Sequence, residues 1–316
     1  MDKFSIVSIP QHAREDTEQL GSKPKFWVLL DGHRWLFKEA RPNTGEDWAE
    51  KAVAEIAREI GINAATVELA EYAGKVGCIS RNFIDVQAGE ALVHGNEIMA
   101  WKVSGYDKEK IFRQADHTLE NIQQAIRGLF DLAHTDSVLT ELAGYMVLDA
   151  LIGNTDRHHE NWGLRSYRQT VTHSGHHIDQ VTGQRLHSHT ISHSQALSVA
   201  PSFDHASSLG RELLDERRAE LLATNRVAWY ISKGRGGIFR DAQQRHGENP
   251  LRLVEVAARA YPSYFRSALE QVAAFDVKVL HEILTALPKE RASDLAKEFA
   301  EAMVLNARTS LIELLK

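Results

Sequence analysis

Cysteine is nearly absent from this chain. A single residue, Cys78, stands in 316 positions, so no intramolecular disulfide can form, which suits a reducing compartment. Long apolar runs are missing as well. No stretch approaches the length needed to cross a bilayer, and Met1 to Arg14 mixes charged and apolar residues without the continuous apolar core of a secretory leader. No basic excess appears either. Lys and Arg number 37 against 43 Asp and Glu, a formal net charge of -6, which gives no electrostatic reason to expect nucleic acid as a direct partner. These absences lead us to expect a cytoplasmic protein that does not engage membranes. With 43% hydrophobic residues, the chain is long enough for two lobes, each with its own core.

The polar signal is concentrated at Leu151-Ile152-Gly153-Asn154-Thr155-Asp156-Arg157-His158-His159-Glu160-Asn161-Trp162-Gly163-Leu164. Within it, Asn161 follows Asp156 by five positions, with four residues between them. A phosphoryl-transfer enzyme needs one carboxylate to accept a proton from the attacking hydroxyl and oxygen ligands nearby for magnesium, and a kinase catalytic loop supplies both at this spacing. An Asn/Asp-rich turn that satisfies its own backbone would also read this way. Two more pieces occur in the order that kinase-like chains use. Lys38 ends an apparent strand, Arg34-Trp35-Leu36-Phe37-Lys38, and Asp204 follows Phe203 after a short apolar stretch. The ordered set of phosphate-pairing Lys, base, Asn and metal-binding Asp carries more weight than any member alone.

The run Gly153 to His158, with Asn161 behind it, resembles the catalytic loop of HipA-like serine/threonine kinases, the bacterial toxin kinases of toxin–antitoxin systems and their stand-alone relatives. The likeness extends from about Gly21 to the C-terminal helices. As in that family, and unlike ordinary protein kinases, no His-Arg pair precedes the catalytic Asp. The resemblance implies a two-lobed, protein-kinase-like α+β fold, with a small antiparallel β-rich N-lobe and a larger, mostly helical C-lobe. We place the nucleotide-binding lobe at residues 1–103 and the catalytic lobe at 104–316. ATP and Mg2+ are the implied cofactors: Lys38 on the nucleotide phosphates, Asp156 as base, and Asn161 with Asp204 on the metal. A serine or threonine on a protein, such as an aminoacyl-tRNA synthetase or another translation component, is the implied acceptor, and an antitoxin is an implied partner. No additional N-terminal domain is evident, as in the compact relatives.

Other assignments follow the chain. Leu20 to Lys25 reads as a turn, and Phe26 to Leu30 and His33 to Lys38 as strands joined by Asp31-Gly32, a hairpin signal. By resemblance the Gly21-Ser22 turn lies over the nucleotide phosphates, and Ser22 is the nearest candidate for autophosphorylation; an ordinary turn fits the residues equally. A helix from Trp48 to Ile60 should stop at Gly61. Kinases use a helix Glu to hold the strand Lys, and Glu50 is the first choice here, Glu55 the second. Ala65 to Glu71 and Val76 to Ile84 read as strands, and Glu97 to Trp101 as a strand or hinge between the lobes. Thr118 to Phe130 and Val138 to Ile152 show helical periodicity.

Residues 166–195, rich in Ser, Thr, Gln and His, read as a long polar loop or hairpin turning near Thr182-Gly183, although histidines so clustered could also take up a transition metal. The basic, glycine-rich Lys233-Gly234-Arg235-Gly236-Gly237 stretch is either a loop that meets substrate or phosphate or a plain turn. Helices are expected over Glu212 to Ala223, Leu251 to Ala260, Ser263 to Phe275 and Ala292 to Leu315. A small-molecule or lipid kinase of related fold, a pseudokinase scaffold and a metal-binding module are the rival functions.

Overall fold

The computed structural model describes residues 2–18, 25–110, 113–178 and 185–316. The Gly21-Ser22 and Thr182-Gly183 turns fall outside these residues. The N-terminal half is built on a six-stranded sheet in the order β1-β5-β6-β4-β3-β2. Its strands are β1 Ile6–Ile9, β2 Arg14–Glu18, β3 Lys25–Leu30, β4 His33–Glu39, β5 Val67–Tyr72 and β6 Lys75–Arg81. Only the β1–β5 pairing is parallel. Asp31 and Gly32 both adopt left-handed backbone, φ 49° and 75°, so that Leu30 faces His33 across a two-residue turn. That turn has the twist matching two flanking strands. Alternate strand residues Phe26, Val28, Phe37 and Ile79 are buried together against one face.

Helix α1, Glu46–Glu59, packs on β5 and β6. Its chain is released by Gly61 at φ 74°, and Trp48, Ala52, Val53 and Ile56 are fully or almost fully buried. A second, three-stranded antiparallel sheet, β7-β8-β9, joins Ala91–His94 to the long hairpin of Gly163–Ile178 and Arg185–Val199. Within the polar segment 166–195, residues 166–178 and 185–195 are therefore paired antiparallel strands, with Ile178 opposite Arg185 in their register.

Glu97 to Trp101 is not a strand or hinge. It lies in helix α2, Gly95–Lys102. A four-residue apolar run, Ile98 to Trp101, fits either element. The choice is made by the bond of Glu97 to the residue three positions earlier: Glu97 accepts a hydrogen bond from the His94 backbone N–H at 2.9 Å, closing the first helical turn.

The remaining chain is helical: α3 Leu119–Arg127, α4 Leu132–Ile152, α5 Asp215–Ala223, α6 Val227–Lys233, α7 Pro250–Ala260, α8 Pro262–Ala274, α9 Val277–Ala286 and α10 Asp294–Ile312. Helix α4 begins six residues before the periodicity suggested, capped by Asp131 on the His134 N–H. It contacts α3, α7, α8 and α10. A helix apolar on all sides belongs at the centre of a bundle. Leu142, Met146, Val147, Leu151 and Ile152 are all buried there. Among the described residues no helix is long and apolar enough to cross a membrane.

The two halves are tied at fixed points. Arg291, from the α9–α10 connection, donates to Asp47 of α1 at 2.9 Å and to the Ala70 carbonyl of β5 at 3.2 Å. Arg211 reaches Glu46 of α1 at 3.0 Å. The Ala65 and Ser202 backbones bond across the same seam.

Candidate active site

Strand β4 carries Lys38, and α1 lays Glu50 beside it. The Lys38 ammonium lies 3.4 Å from Glu50 Oε1 and 3.2 Å from Asp204 Oδ1. Burial alone would lower the Lys38 pKa, but the carboxylates of Asp204 and Glu50 override it and hold the amine above its ordinary value. It stays charged. The other Glu50 oxygen, Oε2, is buried without a hydrogen-bond partner, so its charge is balanced by Lys38 and its solvation is incomplete. An acceptor left unpaired in that position is costly and suits a site completed by another group. Glu55, the second choice for this place, faces elsewhere and pairs with Lys51 at 2.7 Å. Lys25, opposite Lys38 in the β3–β4 register, brings a second ammonium to 3.9 Å from Asp204 Oδ2.

The loop after α4 begins at Gly153, whose φ of 66° ends the helix in the left-handed conformation that glycine adopts without strain. Asn154 Nδ2 then donates to Asp149 Oδ1 at 2.8 Å, and its Oδ1 accepts from the Asp156 N–H at 3.1 Å. Asp156 is thereby fixed through its backbone while its side chain remains 53% exposed. Asn161 turns back onto it. The Asn161 Nδ2 donates to the Asp156 carbonyl at 2.8 Å, which leaves the carboxamide oxygen as the group available to a cation. His158 contributes order, accepting from the Glu160 N–H at 3.3 Å.

Arg157 holds these parts together. Its Nε and Nη2 donate to the two oxygens of Asp149 at 2.7 and 2.8 Å. Its Nη1 donates to the Asn161 carbonyl at 2.6 Å and to the Phe203 carbonyl at 3.4 Å, and Nη2 also donates to Ser202 Oγ at 2.8 Å. One buried guanidinium thus sets the loop that carries Asp156 and the segment that carries Asp204. Asp204 has φ 60°, a left-handed conformation costly for a residue with a side chain, and this aims its carboxylate at Lys38. Ser202 also bonds His205, whose complete burial pushes its pKa well below the ordinary histidine value.

Arg157, Asp149, Asn154 and Lys25 were not singled out from the sequence. An Arg inside a polar turn reads as solvated, and nothing local shows that it bonds a residue eight positions back and a carbonyl forty-six positions on. Lys25 stood in a turn assignment; its strand register with Lys38 is the signal that would have found it.

Oxygen donors are the right chemistry for magnesium, which takes one or two protein ligands and completes its shell with water and phosphate. Asp204 and the Asn161 carboxamide fit that pattern. Among the described residues, no three His, Cys, Asp or Glu side chains converge as a metal cage. The Ser22 position lies outside the described residues.

The model of the HipA-like C-terminal domain matches residues 18–304. In structure, the chain is similar to the Helicobacter pylori proinflammatory kinase CtkA, with a TM-score of 0.72 at 16% identity, covering 99% of this chain and 96% of that one. It is also similar to HipA of Shewanella oneidensis MR-1, solved as a toxin–antitoxin complex with HipB and operator DNA, with a TM-score of 0.55 at 10% identity, covering 96% of this chain and 67% of that one. At these identities the likeness speaks for the fold. Among curated proteins the sequence finds no match.

Proposed function

This chain belongs to the family of HipA-like C-terminal domains, and from that premise we propose that it is an ATP- and magnesium-dependent serine/threonine protein kinase. The observation that carries the proposal is Lys38 held between Glu50 and Asp204, at 3.4 and 3.2 Å. When bound, ATP supplies the phosphoryl group and magnesium the positive charge that offsets its oxygens. Lys38 would hold phosphate oxygens, and Glu50 would hold Lys38. Asp204 and Asn161 would hold the cation. Asp156, exposed and fixed through its backbone, would accept the proton of the incoming hydroxyl. In this reading the base is positioned by Arg157 and Asn154, which matters because a misplacement of about an ångström can cost on the order of a hundredfold in rate.

The finer assignments rest on the family resemblance. They are a Ser or Thr of a protein as acceptor, a translation component such as an aminoacyl-tRNA synthetase as the substrate, self-phosphorylation at Ser22 and an antitoxin protein as partner. The HipB partner seen with the Shewanella HipA supports the last of these.

Thiophosphate labelling in a cell lysate, with the labelled fraction separated into protein, lipid and small molecules, tests the proposal. Label on protein serine or threonine is expected. Label confined to the lipid or small-molecule fraction would contradict it and favour a kinase of small acceptors.

A further inference from the structure

The Lys233–Gly237 stretch is built against the catalytic loop at two of its glycines, Gly234 and Gly237. A Cβ on Gly237 would lie 2.6 Å from the His158 nitrogen and 2.7 Å from the Arg157 carbonyl carbon, and one on Gly234 would lie 3.2 Å from Thr155 Cγ2. Only glycine permits the first approach. Three bonds fix the stretch in that position, and a fourth holds Ile231 just before it. Asn249, which caps α7 through its oxygen, donates from Nδ2 to the carbonyls of Ile231 and Gly234 at 2.8 and 3.0 Å. Gly236 N–H donates to the Glu248 carbonyl at 2.8 Å. His117 accepts the Trp162 indole N–H at Nε2, 3.0 Å, so its other nitrogen carries the proton that it donates to the Gly237 carbonyl at 2.8 Å. This is a specified loop, not a slack turn.

Beside it opens a cavity of about 380 Å3, walled by Thr155, Gly210, Arg211, Glu212, Lys233 and Arg235 and closed below by Met303 and Leu251. Thr155, the residue immediately before Asp156, lines the cavity, so its wall includes part of the loop that carries the base. Its charges are not balanced. Arg211 is paired with Glu46, whereas Glu212 only accepts from the neutral Tyr230 hydroxyl and keeps its charge, so Lys233 and Arg235 together outweigh it by one positive charge. Lys233 and Arg235 are exposed at the rim, and among the described residues neither has a carboxylate partner; Lys233 stands over the Trp229 ring at 5.5 Å.

We propose that this cavity and the Lys233–Gly237 loop are the docking subsite for the acceptor polypeptide, and that they select a segment with an anionic side chain, carboxylate or phosphate, close to the target hydroxyl. The inference rests on the kinase reading for the word acceptor. Its physical basis is separate: a side-chain-sized cavity touching the catalytic loop, with two cations that a guest anion would pair. Arg235 offers the planar fork that grips carboxylate or phosphate through two parallel bonds, and Lys233 adds a point charge.

Fluorescence anisotropy with labelled peptides tests this without any transfer. Each peptide carries alanine at the acceptor position and differs only in its flanks: aspartates, a phosphoserine, or lysines. We expect the wild-type protein to bind both anionic peptides at least about tenfold more tightly than the lysine peptide, with the difference shrinking as salt is raised. In Lys233→Glu/Arg235→Glu, both exposed positions whose folding is checked by thermal melting, the order should reverse. The phosphoserine and aspartate arms tell which anion is preferred. Equal binding of all three peptides by the wild type, or an unchanged order in the charge-reversed protein, overturns the proposal. A wild type that shows the anionic preference yet transfers no phosphoryl group to serine-containing versions would count against the kinase reading and leave the docking surface standing.

Discussion

Arg157 and Asp149 form a two-pronged ion pair, Nε to Oδ2 at 2.7 Å and Nη2 to Oδ1 at 2.8 Å, between side chains that are only 5% and 4% exposed. Burial works against the Arg157 charge, but Asp149 outweighs it and holds the guanidinium ionised. Because both charges are desolvated, removing one leaves the other stranded. Breaking such a pair costs about 3–5 kcal/mol. Arg157→Met should therefore lower the urea midpoint by an amount corresponding to that loss, and at temperatures where the variant stays folded it should transfer phosphoryl groups far more slowly. A variant as stable as the wild type would show that the pair is not the brace described above.

Glu50 and Glu55 sit on one helix five residues apart, and the structure gives them different work. Glu50 faces Lys38; Glu55 faces Lys51. Glu50→Gln should cut transfer by about tenfold or more, because the Lys38 charge loses one of its two anchors. Glu55→Gln should lower stability while leaving turnover close to normal. Steady-state rates of the two variants, each with its melting temperature, check the contrast; equal rate losses would contradict it.

His117 is fully enclosed, and burial pushes its pKa from 6.5 down to about 3. Between those values the unfolded chain binds a proton that the native chain does not. Its contribution to stability is therefore complete above pH 6.5 and is lost as the pH falls toward 3. His159, held down to about 4 chiefly by burial, acts in the same direction over a narrower window. Unfolding free energies from urea titrations between pH 7 and pH 4 should fall with pH, and less steeply in His117→Gln. Parallel curves for the two proteins would show that His117 is not the proton-excluding group.

Gly237→Ala places a methyl group against the backbone of Arg157 and His158. The loop cannot yield without moving the segment that carries Asp156. Turnover should drop by about an order of magnitude or more, with a stability loss of about 1–3 kcal/mol of the kind expected from overpacking. Peptide kinetics and denaturant unfolding of the same sample check both numbers. Normal turnover would mean that the loop is more yielding than its contacts indicate.

The grouping of Lys38 with Glu50 and Asp204 was legible because its signals are local or ordered along the chain. The Asp31-Gly32 turn depends on two residues. Asp156 and Asn161 stand at a recognisable spacing, and the choice of Glu50 over Glu55 came from the family resemblance, counting back from the helix-ending Gly61. What was hidden depends on contacts distant in sequence. Arg157 acquires its meaning from Asp149, Asn161 and Phe203, which periodicity does not connect. Glu97 to Trp101 was misread because a short apolar run fits both periods, and the capping contact with His94 decides. Helices α6 and α9 drew no assignment, and α4 runs on past its apolar repeat into a polar first turn held by Asp131.

The most direct test is incubation of the purified protein with γ-labelled ATP and magnesium beside Asp156→Ala, with Lys38→Met as a second control. General-base removal typically costs 10²–10⁴-fold, so the wild type should incorporate label into itself or an added protein while Asp156→Ala incorporates about a hundredfold less or none. Equal labelling by wild type and Asp156→Ala would contradict the assignment of the base, and no labelling by the wild type of itself, a generic acceptor or a lysate would contradict the kinase account as a whole.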